Sequence, residues 1–463
     1  MSESARELAR KLLAGTSSGA GTATAVPTPP PIRQQPTRSR RGPGRQFADH
    51  PGVAAAVRRR AMIAALYEQN PLVNPLFLPR TGPNDTVIRV AEPRLADAEL
   101  VNFSAYNYVG LGNHPRVIEG AKRALDRYGA SASASRIVAG EIPLYQELER
   151  RLADIYGVGD AMLTTSGYLT NAGVIGYLLG PGDVAVCDAL VHGSVISGVQ
   201  WSAARRLSFR HNDPESLRSV LKMSRAGFDR ALVVIEGHYS MDGTIGRVDE
   251  LAAIAREYDC AVMVDEAHSF GVFGERGHGI REHYGLAGEA VDIWMGTLSK
   301  ALGSAGGFVA ADADLIGAMK SSAPGVAMLT GGPAPSTIGA AQAALDVLEA
   351  EPVRLRRLWS NAEHFHALLT ERGLNLGVSQ GTPICPVIVP GEIRCGFVAS
   401  TLLEHGVYVG NISAPAVPAG QERLRFFLTS EHTAAQLEST ADLLAETIAK
   451  AERISDVTAT TGV

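Results

Sequence analysis

Short apolar runs recur between residues 160 and 297, and polar residues follow each of them. Stretches with helical composition, such as 143–156 and 248–258, separate the runs. Apolar strands that alternate with helices are typical of βα units, which assemble into a parallel sheet. Ligands of open α/β sheets bind at the carboxyl ends of the strands. The polar residues after the runs are therefore the candidate site.

Lys300 follows one of these runs and is framed by Thr297, Ser299 and several small residues. Small neighbours let a flat ring approach, and hydroxyl groups can hold a phosphate. A partly desolvated amine also loses its proton more readily. Taken alone, the run fits either an exposed surface lysine or a lysine that bonds covalently to a phosphorylated cofactor.

Another strand end carries Asp265 with His268 three residues later, and a third leads to Ser240. Pyridoxal phosphate (PLP) needs an anion beside its pyridine nitrogen, because a protonated ring is the better electron sink. Asp265 suits that role, and His268 and Ser240 suit contacts to the phenolic oxygen of the ring. An Asp-x-x-His pair alone also fits a metal site or a helix cap, but together with Lys300 it favours PLP.

Two more strand ends complete the candidate site. Ser166, Gly167 and Tyr168 lie at a strand-to-helix junction, where free backbone N–H groups and the helix dipole favour phosphate. His192 follows the next apolar run, and its imidazole could stack on a cofactor ring. A single histidine is more often structural, so His192 is a candidate site residue only in combination with the other strand-end residues.

In this order, the strand ends resemble the motifs of the α-oxoamine synthases, which are PLP-dependent acyltransferases of biosynthesis. The motifs are Asn-Tyr-Val-Gly-Leu from residue 107, Ser-Gly-Tyr ending at 168, His192, Ser-Met-Asp-Gly ending at 243, Asp-Glu-Ala-His ending at 268 and Thr-Leu-Ser-Lys ending at 300. The similarity extends from Asn102 to Thr447. It implies an α/β fold of PLP-dependent fold type I, with a mostly parallel sheet in the large domain and a smaller C-terminal α/β domain.

The resemblance also implies residue roles. Lys300 would be the Schiff-base lysine and proton carrier, Asp265 the partner of the pyridine nitrogen, and His192 the residue stacked on the ring. Arg425 and Asn107 would hold the substrate carboxylate, while Arg423 is expected to face elsewhere. Thr330 would reach the cofactor phosphate of a partner subunit, which implies a homodimer. Further cofactor contacts are expected from His268, Ser240, Thr297, Ser166, Gly167 and Tyr168.

The implied reaction is a decarboxylative condensation of a small amino acid with an acyl thioester, which yields an α-amino ketone, CO2 and a free thiol. The sequence leaves glycine, alanine and serine open, as well as CoA or an acyl carrier protein as the acyl donor. The Arg-rich N-terminal linker favours a carrier protein. The alternatives are a PLP-dependent aminotransferase or aldolase, or a catalytically silent subunit.

Composition agrees with such an enzyme. The 463 residues carry a net charge of −5, which gives no general electrostatic basis for binding nucleic acid. The four cysteines have no spacing typical of a metal site or a disulfide framework. No apolar run approaches about 18 residues, so no transmembrane helix is predicted. Residues 1–46 lack the apolar segment of a secretory signal, and a cytoplasmic location is expected.

The sequence also predicts how the chain is organised. A disordered segment rich in proline and arginine occupies 1–46, and an N-terminal arm occupies 47–100. The large PLP-binding domain is expected at 101–325 and the small C-terminal domain at 326–450. A flexible tail is expected at 451–463.

Overall fold

The computed structural model describes residues 50–69, 73–96, 98–414 and 416–452. The predicted disordered segment 1–46 lies outside the described residues, as does the predicted tail beyond residue 452. The first described helix belongs to a separate unit from the one discussed below. The predicted boundaries between arm, large domain and small domain stay predictions.

The α-helices are, in chain order, α1 (Pro51–Gln69), α2 (Pro115–Tyr128), α3 (Pro143–Tyr156), α4 (Gly167–Leu178), α5 (Gly193–Ser202), α6 (Pro214–Ser224), α7 (Val248–Glu257), α8 (Ile280–Tyr284), α9 (Ala313–Ser322), α10 (Pro335–Ala350), α11 (Val353–Glu371), α12 (Glu392–Glu404) and α13 (Ala434–Ala451). The strands are β1 (Val87–Ile88), β2 (Leu100–Asn102), β3 (Asp160–Thr164), β4 (Val184–Asp188), β5 (Arg205–Phe209), β6 (Ala231–Glu236), β7 (Ala261–Asp265), β8 (Ile293–Thr297), β9 (Gly307–Ala311), β10 (Ile384–Ile388), β11 (Val407–Tyr408), β12 (Gly410–Ile412) and β13 (Arg423–Phe427).

The central feature is a seven-stranded sheet with the order β3-β9-β8-β7-β6-β4-β5. All neighbouring strands are parallel except β9, which runs antiparallel to both β3 and β8. The carboxyl ends of β4, β6, β7 and β8 therefore meet at one edge of the sheet. This mostly parallel sheet confirms the fold class predicted from the sequence.

The inner strands read as continuous apolar runs because both faces of the sheet are covered. In β4, Val184 and Val186 pack into the core on one face, and Ala185 and Cys187 pack into the core on the other. All five residues of this strand are buried. The alternation of side chains along a strand thus serves two hydrophobic layers at once.

Helix α3 shows how the local sequence sets an element. It begins with Pro143 in its first turn, where a missing N–H costs nothing, and its buried face includes Leu148 and Leu152. It ends before Gly157, which adopts the left-handed conformation with φ 63°. The helix predicted at 143–156 matches these bounds. The helix predicted at 248–258 ends one residue earlier, at Glu257.

A second sheet forms in the C-terminal region from β10, β13 and β12, all antiparallel. Pro386 of β10 lies opposite Arg425 of β13. The turn after β6 approaches this sheet so closely that a Cβ on Gly243 would lie 2.2 Å from the carbonyl oxygen of Ile384. Gly243 also has a φ of +70°, so the turn requires glycine here. This close approach brings β13 to the ends of the large-sheet strands.

Candidate active site

A cavity of about 370 Å³ lies at the carboxyl ends of the large-sheet strands. Residues that follow β3, β4, β6, β7 and β8 line it, and β13 closes it from the C-terminal region. Its lining contains every predicted site residue except Asn107 and Thr330. The structure therefore brings most of the candidate residues into one place, although they are far apart in the sequence.

Lys300 follows β8 and extends into the cavity. Its Nζ lies 5.9 Å from the centre of the Tyr106 ring. Burial lowers the pKa of Lys300 to about 8, although the negative charges of Asp265 and Glu236 act in the opposite direction. An amine with this pKa has a substantial uncharged fraction near neutral pH, as a nucleophilic lysine requires.

Asp265 ends β7 and is buried. Its Oδ1 accepts a hydrogen bond of 2.9 Å from the backbone N–H of Ala267, and its Oδ2 accepts one of 2.7 Å from Nδ2 of Asn171. The same Nδ2 donates to Ser194 at 3.0 Å. Oδ1 of Asn171 is buried and has no hydrogen-bond partner among the described residues. The carboxylate is thus held in a fixed orientation beside an unsatisfied acceptor.

Glu236 is the second buried carboxyl group of the cavity and pairs with Asp265 across β6 and β7. Its Oε1 accepts a hydrogen bond of 2.6 Å from the backbone N–H of His192. Burial and the nearby Asp265 raise the pKa of Glu236 well above its usual value. Two such carboxyl groups do not both ionise at low cost. A carboxyl group with a raised pKa keeps its proton more readily, and this holds for Glu236 beside Asp265.

His268 lines the cavity, and its ring is stacked on Phe427, at 6.2 Å between ring centres and 11° between planes. Its Nδ1 shares a hydrogen bond of 2.7 Å with the hydroxyl of Tyr108. This contact leaves Nε2 as the ring nitrogen for a ligand. Burial and the charge of Lys300 lower the pKa of His268 well below its usual value, so the ring is neutral.

His192 caps the N-terminus of α5, and its Nδ1 shares a hydrogen bond of 2.7 Å with Ser194. The ring of Tyr168 meets it edge-on at 6.1 Å. Burial lowers the pKa of His192, which keeps the imidazole uncharged near neutral pH. A neutral, fixed ring on the cavity wall suits stacking against a flat ligand.

The other end of the cavity suits a phosphate. Ser166 caps helix α4, and Ser166, Gly167 and Tyr168 at the N-terminus of this helix line the cavity. A Cβ on Gly167 would lie 3.0 Å from Cβ and 3.1 Å from Oγ1 of Thr297. Thr297 also shares a hydrogen bond of 2.8 Å with Ser299. Two hydroxyl groups and a helix N-terminus thus converge at a place where a side chain on residue 167 would crowd Thr297.

Arg425 of β13 supplies the cationic side of the cavity. Its Nη1 donates to the carbonyl oxygen of Ser240 at 2.8 Å, and its guanidinium lies 4.7 Å from the ring of Phe427. Its Nε is buried and has no hydrogen-bond partner within the described part of the chain. Burial lowers the pKa of Arg425. A desolvated guanidinium without a carboxylate partner is suited to bind an anionic ligand.

The family model for "Aminotransferase class I and II" matches residues 98–444. The chain belongs to this family. It is 38% identical over 357 residues to 8-amino-7-oxononanoate synthase of Treponema denticola, which covers 77% of this chain and 88% of that protein. It is 35% identical over 377 residues to serine palmitoyltransferase of Sphingobacterium spiritivorum, which covers 81% and 92%. Both relatives are α-oxoamine synthases, so the predicted branch of the family is confirmed.

Solved structures of relatives have the same fold. A structure of SPT with a PLP internal aldimine superposes with a TM-score of 0.80 at 30% identity, and the match covers 88% of this chain and 99% of that one. The α/β architecture with a large mixed sheet and a smaller C-terminal sheet is thus that of PLP-dependent fold type I.

Three residues that the sequence analysis named, Asn107, Arg423 and Thr330, do not line the cavity. Asn107 does not line the cavity, and its Oδ1 accepts from the backbone N–H of Gly112 at 2.9 Å. Its neighbour Tyr106 lines the cavity instead. Arg423, which was expected to face elsewhere than Arg425, lies on the same side of β13, because residues two apart on a strand point to the same side. Its Nη1 donates to the carbonyl oxygen of Met241 at 3.1 Å, beside the Arg425 contact, although Arg423 does not line the cavity.

Thr330 also lies outside the cavity of its own chain. Its predicted contact is with the cofactor of a partner subunit, so its role stays a prediction. Sequence reasoning also missed Asn171, Glu236 and Tyr106. A polar Asn171 within the apolar face of a short helix was the available signal, since buried polar groups need a partner.

The described residues contain no cluster of histidine, cysteine or acidic side chains that could hold a metal ion. None of the helices within the described ranges is long and apolar enough to cross a membrane. The four cysteines are buried and unpaired.

Proposed function

We propose that this protein is a PLP-dependent acyltransferase that condenses a small amino acid with an acyl thioester and releases CO2 and a free thiol. The observation that carries the proposal is one cavity that combines Lys300, Asp265 and the guanidinium of Arg425, whose buried Nε has no hydrogen-bond partner among the described residues. The names of the two relatives point to the same chemistry, because both are acyltransferases of the α-oxoamine synthase type.

The cofactor is PLP, and three features of this chain fit it. The N-terminus of α4 with Gly167 and Thr297 fits the phosphate, and the fixed carboxylate of Asp265 fits a protonated pyridine nitrogen. Lys300, with its pKa lowered to about 8, fits the aldehyde carbon. Bound PLP supplies an electron sink for the carbanion of the amino acid.

The protein itself binds the amino acid and moves a proton. Arg425 binds the α-carboxylate and thereby fixes the orientation of the Cα–H bond. Lys300, once free, removes the α-proton and later returns a proton to the product. His192 and His268 would enclose the ring of bound PLP, and Asp265 would stabilise the positive charge of its pyridine nitrogen.

We also propose that the protein acts as a homodimer. Ile137, Val138 and Leu329 are exposed by 52%, 77% and 74%, although all three are apolar. Ile137 and Val138 lie on the π-helical turn Arg136–Gly140, and Leu329 directly follows the π-helical turn Pro324–Met328, which contacts the first turn. Thr330 adjoins this apolar surface. A second copy that covers it would bring Thr330 toward the other cavity, and light scattering would then give twice the chain mass.

The direct test supplies glycine, alanine and serine in turn, each with a panel of acyl-CoA and acyl-carrier-protein thioesters, and measures thiol release. We expect release that depends on one amino acid and one class of donor. The Lys300→Ala variant should show none. A holoenzyme that releases no thiol with any pair, but exchanges an amino group with a keto acid, would support the aminotransferase alternative.

A further inference from the structure

A charged histidine outside the cavity joins two of the loops that build it. His211 follows β5, and its Nδ1 lies 2.9 Å from Oδ1 of Asp188 at the end of β4. Its Nε2 lies 2.9 Å from Oγ1 of Thr244 and 3.3 Å from Oδ2 of Asp242, in the turn after β6. One imidazole therefore bridges segments that are about fifty residues apart in the chain.

Asn212 adds a second set of contacts between the same two loops. Its backbone N–H donates to Oδ2 of Asp188 at 2.7 Å, and its side-chain Nδ2 donates to the carbonyl oxygen of Ile245 at 2.8 Å. Its Oδ1 accepts from the backbone N–H of Arg247 at 2.9 Å. His211 and Asn212 thus both join the loop after β4 to the turn after β6.

Each joined loop carries a part of the site. Asp188 accepts from the backbone N–H of Leu190 at 2.8 Å and so shapes the loop that leads to His192. Asp242 accepts from the backbone N–H of Thr244 at 3.1 Å and shapes the turn that begins with Ser240. The carbonyl oxygen of Ser240 is the acceptor that holds Arg425.

The charge state of His211 follows from its partners. Both ring nitrogens face carboxylates, which only accept hydrogen bonds, so both must donate. Burial lowers the pKa of His211, but the hydrogen bonds to Asp188 and Asp242 outweigh it and raise the pKa to about 9. The third titratable neighbour, Tyr239, meets the ring edge-on at 4.4 Å, and burial raises its pKa well above the usual value. The bridge is thus an imidazolium between two carboxylates.

We propose that His211 is a positioning residue, which sets the distance between the ring-stacking His192 and the carboxylate-binding Arg425 by joining Asp188 to Asp242. The inference rests on the proposed function, since it assigns the amino acid to Arg425. A neutral side chain at 211 would leave two facing carboxylates without their shared cation, and the two loops would move apart. The bound amino acid would then be misaligned against the cofactor ring.

The test compares His211→Gln with His278→Gln in the PLP-loaded enzyme. His278 is the control, because it is a histidine that pairs with a carboxylate, Glu349 at 3.1 Å, and it does not line the cavity. The readouts are the amino acid concentration that half-saturates the change in the cofactor absorption band, the PLP content, and kcat.

We expect the half-saturating concentration to rise about tenfold in His211→Gln, with PLP content retained, and to stay within about twofold in His278→Gln. Asp242→Asn should show a similar rise, and the double variant should show little more, because both changes break one bridge. Unchanged half-saturation in folded His211→Gln, or in Asp242→Asn if the first variant does not fold, would overturn the proposal. An equal rise in the control would also do so. A wild-type protein whose spectrum responds to no amino acid would instead contradict the proposed function.

Discussion

Replacing Arg425 with glutamine removes the charge that we assign to the substrate carboxylate but keeps N–H donors on a shorter side chain. In the free protein, the guanidinium has no carboxylate partner among the described residues, and its Nε is buried without a hydrogen bond. Hydrogen bonds to charged groups contribute about 1.5–3 kcal/mol each. Loss of a two-bond carboxylate contact, partly replaced by glutamine, should therefore cost about 3 kcal/mol, or roughly a hundredfold in affinity.

The same structure predicts a small effect on stability. Burial lowers the pKa of Arg425, so its charge is unfavourable in the free protein. This offsets the loss of its 2.8 Å hydrogen bond to Ser240. We expect the free energy of unfolding to change by less than about 1 kcal/mol.

The assay titrates the PLP-loaded variant with the amino acid identified by thiol release and follows the cofactor absorption band. Arg372→Gln is the control, because Arg372 forms a surface ion pair with Asp442. We expect the half-saturating concentration to rise about a hundredfold in Arg425→Gln and not in the control. A rise below about threefold, in a variant that keeps its PLP, would show that another group binds the carboxylate.

Three further outcomes follow from the site. Because the pKa of Lys300 is lowered from 10.5 to about 8 and only the uncharged amine attacks the aldehyde, the rate at which apoenzyme binds PLP covalently should rise with pH and level off above about 8, as stopped-flow absorbance would show. A rate that still increases steeply near pH 10 would contradict the lowered pKa. Gly167→Ala, whose Cβ would crowd Thr297, should weaken PLP binding about tenfold by fluorescence titration, while Gly317→Ala, with open space around it, should not. Asp265→Asn should keep PLP but lose about a hundredfold or more in kcat, and near-normal turnover would refute its charge role.

The sequence predicted most of the site because the residues concerned end buried strands. A strand end such as Asp265 or Lys300 shows a sharp change from apolar to polar residues, and parallel strands bring such ends to one edge. The resulting cavity contains ten of the residues predicted for it, including His192 and Arg425.

The remaining features depend on loops and on contacts that no local pattern encodes. Residues 104–114 have no strand or helix periodicity, so the sequence could not show that Tyr106 rather than Asn107 faces the cavity. The raised pKa of Glu236 depends on its burial and on its pairing with Asp265 across two strands. The bridge at His211 joins three chain segments through side chains, and only the folded structure brings them together.

The central claim is that one turnover joins the amino acid to the acyl group and removes its carboxylate. The most direct measurement supplies amino acid labelled at the carboxyl carbon and counts labelled CO2 and free thiol in the same reaction. We predict equal amounts of labelled CO2 and free thiol. Both products should be absent without the acyl thioester and absent in Lys300→Ala. Thiol release without CO2, or CO2 release without an acyl donor, would contradict it.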